Sequence, residues 1–210
     1  MTDTEQLIKS LSVERGTARR ATIPSRILWQ WLLVSVASVV VMLAIFGLRD
    51  DLREKLADGF FVAEILTLSA ITISMAFAAA IYSFPDLYQR KYSLLIQPIA
   101  LSSFAISLVF ASMGGSNAPA PAHDFICLFC ITLFSMFPAV WMFVLLRKQA
   151  TTHQKIAGCT ALLAACSIGA LTLRLSEKTD SIEHLILWHY LPMLGYALIG
   201  AWLGKKFLKW

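Results

Sequence analysis

Residues 27–48 read ILWQWLLVSVASVVVMLAIFGL, an uncharged run of 22 residues from Ile27 to Leu48. A bilayer's hydrocarbon core is about 30 Å thick and a helix rises about 1.5 Å per residue, so a crossing takes about 20 apolar residues. The run is apolar on every face, whereas a lipid-facing strand alternates apolar with polar. It therefore reads as a membrane-spanning helix. It is longer than the roughly 7–15 apolar residues of a cleaved secretory signal, and it follows a 26-residue polar segment. The expectation is a retained anchor.

Working outward, five further runs resemble the first. The predicted spans are 27–48, 63–85, 93–113, 125–146, 156–175 and 185–204. The expected fold is an all-α membrane protein, a six-transmembrane-helix bundle (27–210) preceded by a cytoplasmic segment (1–26). Composition agrees: 58% of residues are hydrophobic and 15% charged, too greasy a balance for a water-soluble core. A soluble nucleic-acid-binding protein is excluded despite a net charge of +5. Thirteen of the 18 Lys and Arg fall before the first span, after the second and fourth, or in the tail, and this bias predicts that both termini are cytoplasmic. Trp29, Trp31, Trp188, Trp202 and Trp210 lie near expected interfaces. Small residues four apart, Ala70/Ser74/Ala78, Ala161/Ala165/Gly169 and Gly200/Gly204, suit close helix packing and leave a homo-oligomer open. Pro98, Pro138 and Pro192 are expected to kink their helices. Glu64 is expected to snorkel toward the outer surface, and no ladder of buried charges is read along the spans. Phosphate loop, dinucleotide fingerprint and nucleophile elbow are all missing, so no enzyme, cofactor or resident metal is expected.

Two local features carry functional readings. In the leader, Thr2-Asp3-Thr4-Glu5 fits a capping box, and Thr4, Leu7, Ile8 and Leu11 share one face of the short amphipathic helix that would follow. About a dozen residues make a marginal helix alone in water, so this stripe needs a cover: the bundle, the inner leaflet, or a partner's groove. At the outer end of the fourth span, Cys127 and Cys130 lie about 60° apart on a helix, open to disulfide formation, soft-metal binding or plain packing. His123, His184 and His189 belong to the same side. His184 and His189 flank Trp188 in a string that either anchors the last helix or poises a titrating or metal-binding imidazole. Cys159 and Cys166 read as packing residues.

The leader TEQLIKSL (Thr4–Leu11), Arg19-Arg20, Arg147-Lys148 and the terminal block from Trp188-His189-Tyr190-Leu191-Pro192 to Gly204-Lys205-Lys206-Phe207-Leu208-Lys209-Trp210 together resemble the NrsF-type membrane anti-sigma factors. The resemblance covers essentially the whole chain. It implies a bacterial inner-membrane protein whose leader sequesters an extracytoplasmic-function sigma factor, Leu7, Ile8 and Leu11 forming the contact face, and releases it on envelope, oxidative or metal stress. Cys127 or Cys130 would match the family's thiol near the fourth helix. The family's second cysteine, in the outer loop before the last helix, has no counterpart in Leu173–Ser181. Either Cys127 and Cys130 then act together, or the signal is not thiol-based. The alternative function is a membrane thiol oxidoreductase or soft-metal-handling protein built on Cys127 and Cys130.

Overall fold

The computed structural model describes residues 4–6, 9, 23–84, 95–113 and 124–209, and these are helical with short connections. The helices are α1 (Pro24–Phe46), α2 (Leu52–Lys55), α3 (Gly59–Tyr82), α4 (Ile96–Met113), α5 (Asp124–Arg147), α6 (Gln154–Ser176), α7 (Ile182–His184) and α8 (Leu191–Phe207). A π-helical turn, Leu185–Tyr190, joins α7 to α8. Local signals set the ends. Pro24 opens α1, where its missing N–H is no loss. Gly47, at φ 85°, closes α1 in a conformation that costs a residue with a Cβ. Asp58 caps α3 by accepting from the Phe60 N–H at 3.0 Å.

Among the described residues, five helices are long and apolar enough to cross a membrane: α1, α3, α5, α6 and the continuous rod from Ile182 to Phe207. The third expected span falls on α4, which is apolar over Ile96–Phe110 but shorter than the others. Of the expected leader helix, Thr4–Gln6 and Lys9 are helical and exposed, while Leu7, Ile8 and Leu11 lie outside the described residues.

Helix α6 occupies the centre because its side chains are small. Ala157, Gly158, Ala161, Ala164, Ala165, Cys166, Ser167, Gly169 and Ala170 are all buried. With so little bulk on α6, neighbouring backbones come close on several sides. A Cβ added at Gly158 would lie 2.3 Å from the Gly200 carbonyl oxygen and 2.6 Å from Gly204 Cα on α8. One added at Gly169 would meet Ser135 Oγ at 2.2 Å and the Ile131 carbonyl at 2.6 Å on α5. The small-residue spacing thus works in packing within the chain, with one exception: Ser74 and Ala78 are buried but Ala70 is exposed.

Large side chains face outward instead. Leu33, Val40, Ile45, Phe129, Phe137, Leu194 and Leu198 are each more than half exposed. Such an apolar girdle is far larger than the patches soluble proteins tolerate, and is what a lipid-facing surface needs. Trp31 departs from the expected interfacial role. It is fully buried, and its indole N–H donates to the Pro138 carbonyl at 2.9 Å, which ties α1 to α5. Indole needs such a partner once buried.

The two ends of the bundle differ in charge. Arg26, Arg147, Lys148, Lys155, Lys205 and Lys206 lie at the end where α1 begins, α5 finishes, α6 begins and α8 finishes. At the opposite end Asp50, Asp51, Glu54, Asp58, Glu64, Glu177, Asp180 and Glu183 outnumber Arg49, Arg53, Lys55, Arg174 and Lys178 and leave that end acidic.

Gly158→Leu is expected to destabilise the detergent-solubilised protein by about 1–3 kcal/mol, because backbone atoms of α8 cannot give way to the added side chain. Gly195→Ala, which lies inside α8 and meets nothing within 4 Å, should hold or slightly raise the thermal midpoint, because Ala is the better helix former. Equal melting of the two variants would refute close α6–α8 packing.

Candidate functional site

The site begins with the π turn. In an α-helix, residues five apart are separated by about 140° and face different ways. In a π turn, i→i+5 hydrogen bonds stack such residues on one face. Leu185–Tyr190 is wound in this way, just before Pro192. Proline has no N–H to offer the carbonyl four residues back, and a widened turn accommodates that loss. The consequence is specific. His184 and His189 come to the same side, with ring centroids 5.3 Å apart and planes at 72°.

Two other elements face these rings. Cys127 lies in the first turn of α5, and Glu177 directly follows α6 as its C-cap. Cys127 Sγ is 3.4 Å from His184 Nε2, and 3.5 and 3.6 Å from Glu177 Oε1 and Oε2. His184 Nε2 is 3.5 Å from Glu177 Oε1, and His189 Nε2 is 3.2 Å from Glu177 Oε2. One donor atom from each of Cys127, Glu177, His184 and His189 falls within 4.8 Å of the others, a set able to hold a metal ion. Cys127, His184 and His189 are buried, and the Glu177 side chain is 19% exposed. Three of the four residues expected at the outer face are therefore brought together. The fourth, Cys130, is half-buried and outside the group. None of the four cysteines forms a disulfide. His123 lies outside the described residues. Trp188 packs edge-on against Phe125, its ring centroid 4.9 Å away.

Glu177 is the residue that sequence reasoning missed. In the sequence that loop stands out for its two basic residues and the cysteine it lacks. A usable signal was the Arg174/Glu177 pair, three residues apart at the end of an apolar helix.

Beside this group sits a second polar knot, which overturns two expectations. Glu64 does not snorkel, and charge is buried within the spans. The Glu64 carboxylate accepts from Arg174 Nε at 3.0 and 3.1 Å and from the Tyr190 hydroxyl. Both charged side chains are at most 10% exposed. Arg174 also donates to the Thr179 carbonyl at 2.9 Å and pairs with Asp180 at 3.0 Å. Asp180 in turn pairs with Arg49 at 3.2 Å and Lys55 at 2.8 Å. The Phe61 ring lies near both guanidiniums, 5.3 Å from that of Arg49 and 5.0 Å from that of Arg174. A charge deep in a span is costly unless paired, so the partner across the bundle replaces the route to water.

Electrostatics at this end favours ionised carboxylates. Burial works to raise Glu177, but the adjacent His189 ring, Thr179 and His184 outweigh it and hold the carboxyl at about 2. For Asp180, burial is likewise outweighed by Arg49, Lys55 and Arg174, which also bring it to about 2.

Two expected outcomes follow from these contacts. Glu64→Gln and Arg174→Met should each cost about 3–5 kcal/mol by stranding a buried partner, while the apolar double variant Glu64→Leu/Arg174→Met should cost clearly less than their sum. Additive losses in thermal or denaturant melts would argue against the pair. Both Glu177 and Asp180 have lowered folded-state pKa values. Their contribution is complete above the unfolded values and fades as pH falls from about 4.5 to about 2. The melting midpoint should therefore be flat above about pH 5 and drop in acid, and Glu177→Gln should flatten that drop.

Comparison with known proteins bears on what this geometry serves. The profile of a family described as negative regulator of sigma F, NrsF, matches residues 11–210. The anti-sigma-F factor NrsF of Caulobacter vibrioides (strain NA1000 / CB15N) is 22% identical over 216 residues, covering 99% of each chain. No solved structure matches the chain. With nearly its whole length matched, this chain belongs to the NrsF family of anti-sigma factors, proteins of a regulatory and non-enzymatic kind.

Proposed function

We propose that the chain is a bacterial inner-membrane anti-sigma factor that holds an extracytoplasmic-function sigma factor through residues 1–26. An envelope, oxidative or metal stress signal acts at the acidic end, on the group around Cys127, and releases it. The observation that carries this reading is the family match over residues 11–210. The charge separation between the two ends of the bundle supports the orientation. The basic end, where the leader joins α1, faces the cytoplasm by the positive-inside rule, and the acidic end faces outward. Thr4, Leu7, Ile8 and Leu11 supply the sigma-contacting stripe, consistent with the exposed helical turn Thr4–Gln6.

Helix α6 links the two ends physically. It starts at Gln154 on the basic side and finishes next to Glu177 in the outer group. Release needs two bundle arrangements with different affinity for the sigma factor.

A second reading, a membrane thiol oxidoreductase or soft-metal-handling protein using Cys127 and Cys130, draws on one observation, the donor set around Cys127, which Cys130 does not join. Deleting residues 1–16 separates the two, because only the anti-sigma reading needs the leader.

The direct test coexpresses the full-length chain with the candidate sigma factor and a reporter from its promoter. Wild type should silence the reporter. Leu7→Asp and Leu11→Asp should each restore it, through at least about a tenfold loss of affinity, or about 1.4 kcal/mol. Full repression by both variants, at equal membrane abundance, would refute the leader as the holding segment.

A further inference from the structure

We infer that Cys127, Glu177, His184 and His189 form a four-ligand site for a divalent metal ion of the zinc and cadmium class. One thiol sulfur, two imidazole nitrogens and one carboxylate are the ligand types that zinc takes in tetrahedral sites. Bond lengths of about 2.0–2.3 Å in such a site set ligand–ligand edges of about 3.3–3.6 Å. Three donor separations already lie there: 3.4 Å for Cys127 to His184, and 3.5 Å each from Cys127 and His184 to Glu177 Oε1; His189 Nε2 stands 3.2 Å from the other carboxylate oxygen, Oε2, and the whole set falls within 4.8 Å.

His189 supplies an independent observation. It is 1% exposed, yet neither ring nitrogen makes a hydrogen bond. Its Nε2 is close to the Glu177 carboxylate but not aligned for donation. A buried imidazole left so is unfavourable, and a metal–nitrogen bond would satisfy its Nε2. Borderline donors of this mixture suit zinc or cadmium better than calcium or magnesium, which take oxygen ligands. On binding, the Cys127 S–H bond breaks, its proton goes to solvent, and the thiolate's electron pair forms the sulfur–metal bond.

This chain thus has the means to recognise a metal with one thiol, where a loop cysteine is lacking. The donors come from the start of α5, the end of α6, α7 and the π turn, so one ion ties three rods together. That this tie governs sigma release rests on the anti-sigma reading; metal binding itself does not.

The test uses full-length protein purified in detergent, stripped with a chelator and titrated with cadmium chloride. One ion per chain should bind, with an ultraviolet thiolate-to-cadmium charge-transfer band. Cys127→Ser should abolish the band and Cys130→Ser should keep it. His184→Ala, His189→Ala and Glu177→Gln should each weaken binding at least about tenfold, a loss that even outer partners of metal ligands can cause. Should those variants fold poorly, X-ray absorption on zinc-loaded wild type decides instead: one sulfur and three nitrogen or oxygen neighbours are expected. No band in wild type, a band lost in Cys130→Ser but kept in Cys127→Ser, or a zinc shell with two sulfurs or none would overturn the site. No sigma factor is present in these measurements, so loss of leader binding and loss of metal binding are read separately.

Discussion

The bundle depends on how closely other helices approach α6. Lipid tails are as apolar as leucine, so helices in a bilayer gain little from hiding hydrophobic surface from one another. Contact distance has to supply the attraction. Gly158 against Gly200 and Gly204, and Gly169 against Ser135 and Ile131, bring backbones together until no Cβ fits between them. Dispersion and weak polar contacts then act over long stretches of backbone. The same economy of side chains pushes the bulky residues of α1, α5 and α8 to the outside, where lipid is their natural neighbour.

Polar glue fastens the acidic end. Glu64, Arg174 and Tyr190 close one knot inside the spans, and Arg49, Asp51, Asp180 and Lys55 continue it into the connections. A hydrogen-bonded pair between helices adds modest stability in a membrane, but a stranded charge costs much more. The knot therefore specifies which rods meet at this end and in which register. It also positions the donor group around Cys127. Tyr190 follows His189 directly, and Glu177 lies three residues beyond Arg174, so whatever moves one set of contacts pulls on the other.

This arrangement gives a regulatory membrane protein a rigid middle and two chemically different ends. The donor set sits where α5, α6 and the last rod converge, and α6 runs from there to the basic end that carries the leader. Between the two ends lies packed backbone, and such packing shifts between discrete arrangements and does not bend smoothly.

Much was legible along the chain. Apolar runs longer than a bilayer's thickness declare helices without reference to anything else, because a backbone in lipid must satisfy its own hydrogen bonds. The lopsided Lys and Arg pattern, the small-residue spacing on α6 and α8 and the placing of Cys127, His184 and His189 at one end of the bundle were readable for similarly local reasons. What needed the tertiary structure was partnership. His184 and His189 look opposed at α-helical spacing, and only the π turn before Pro192 aligns them. Glu177 looks like an ordinary loop acid until α6 places it between a thiol and two imidazoles. Glu64 and Arg174, 110 residues apart, look like two expensive charges until the bundle pairs them. A single chain's pattern states what each residue costs in a membrane; which residue meets that cost is decided only when the rods pack, because the partners come from segments far apart in sequence.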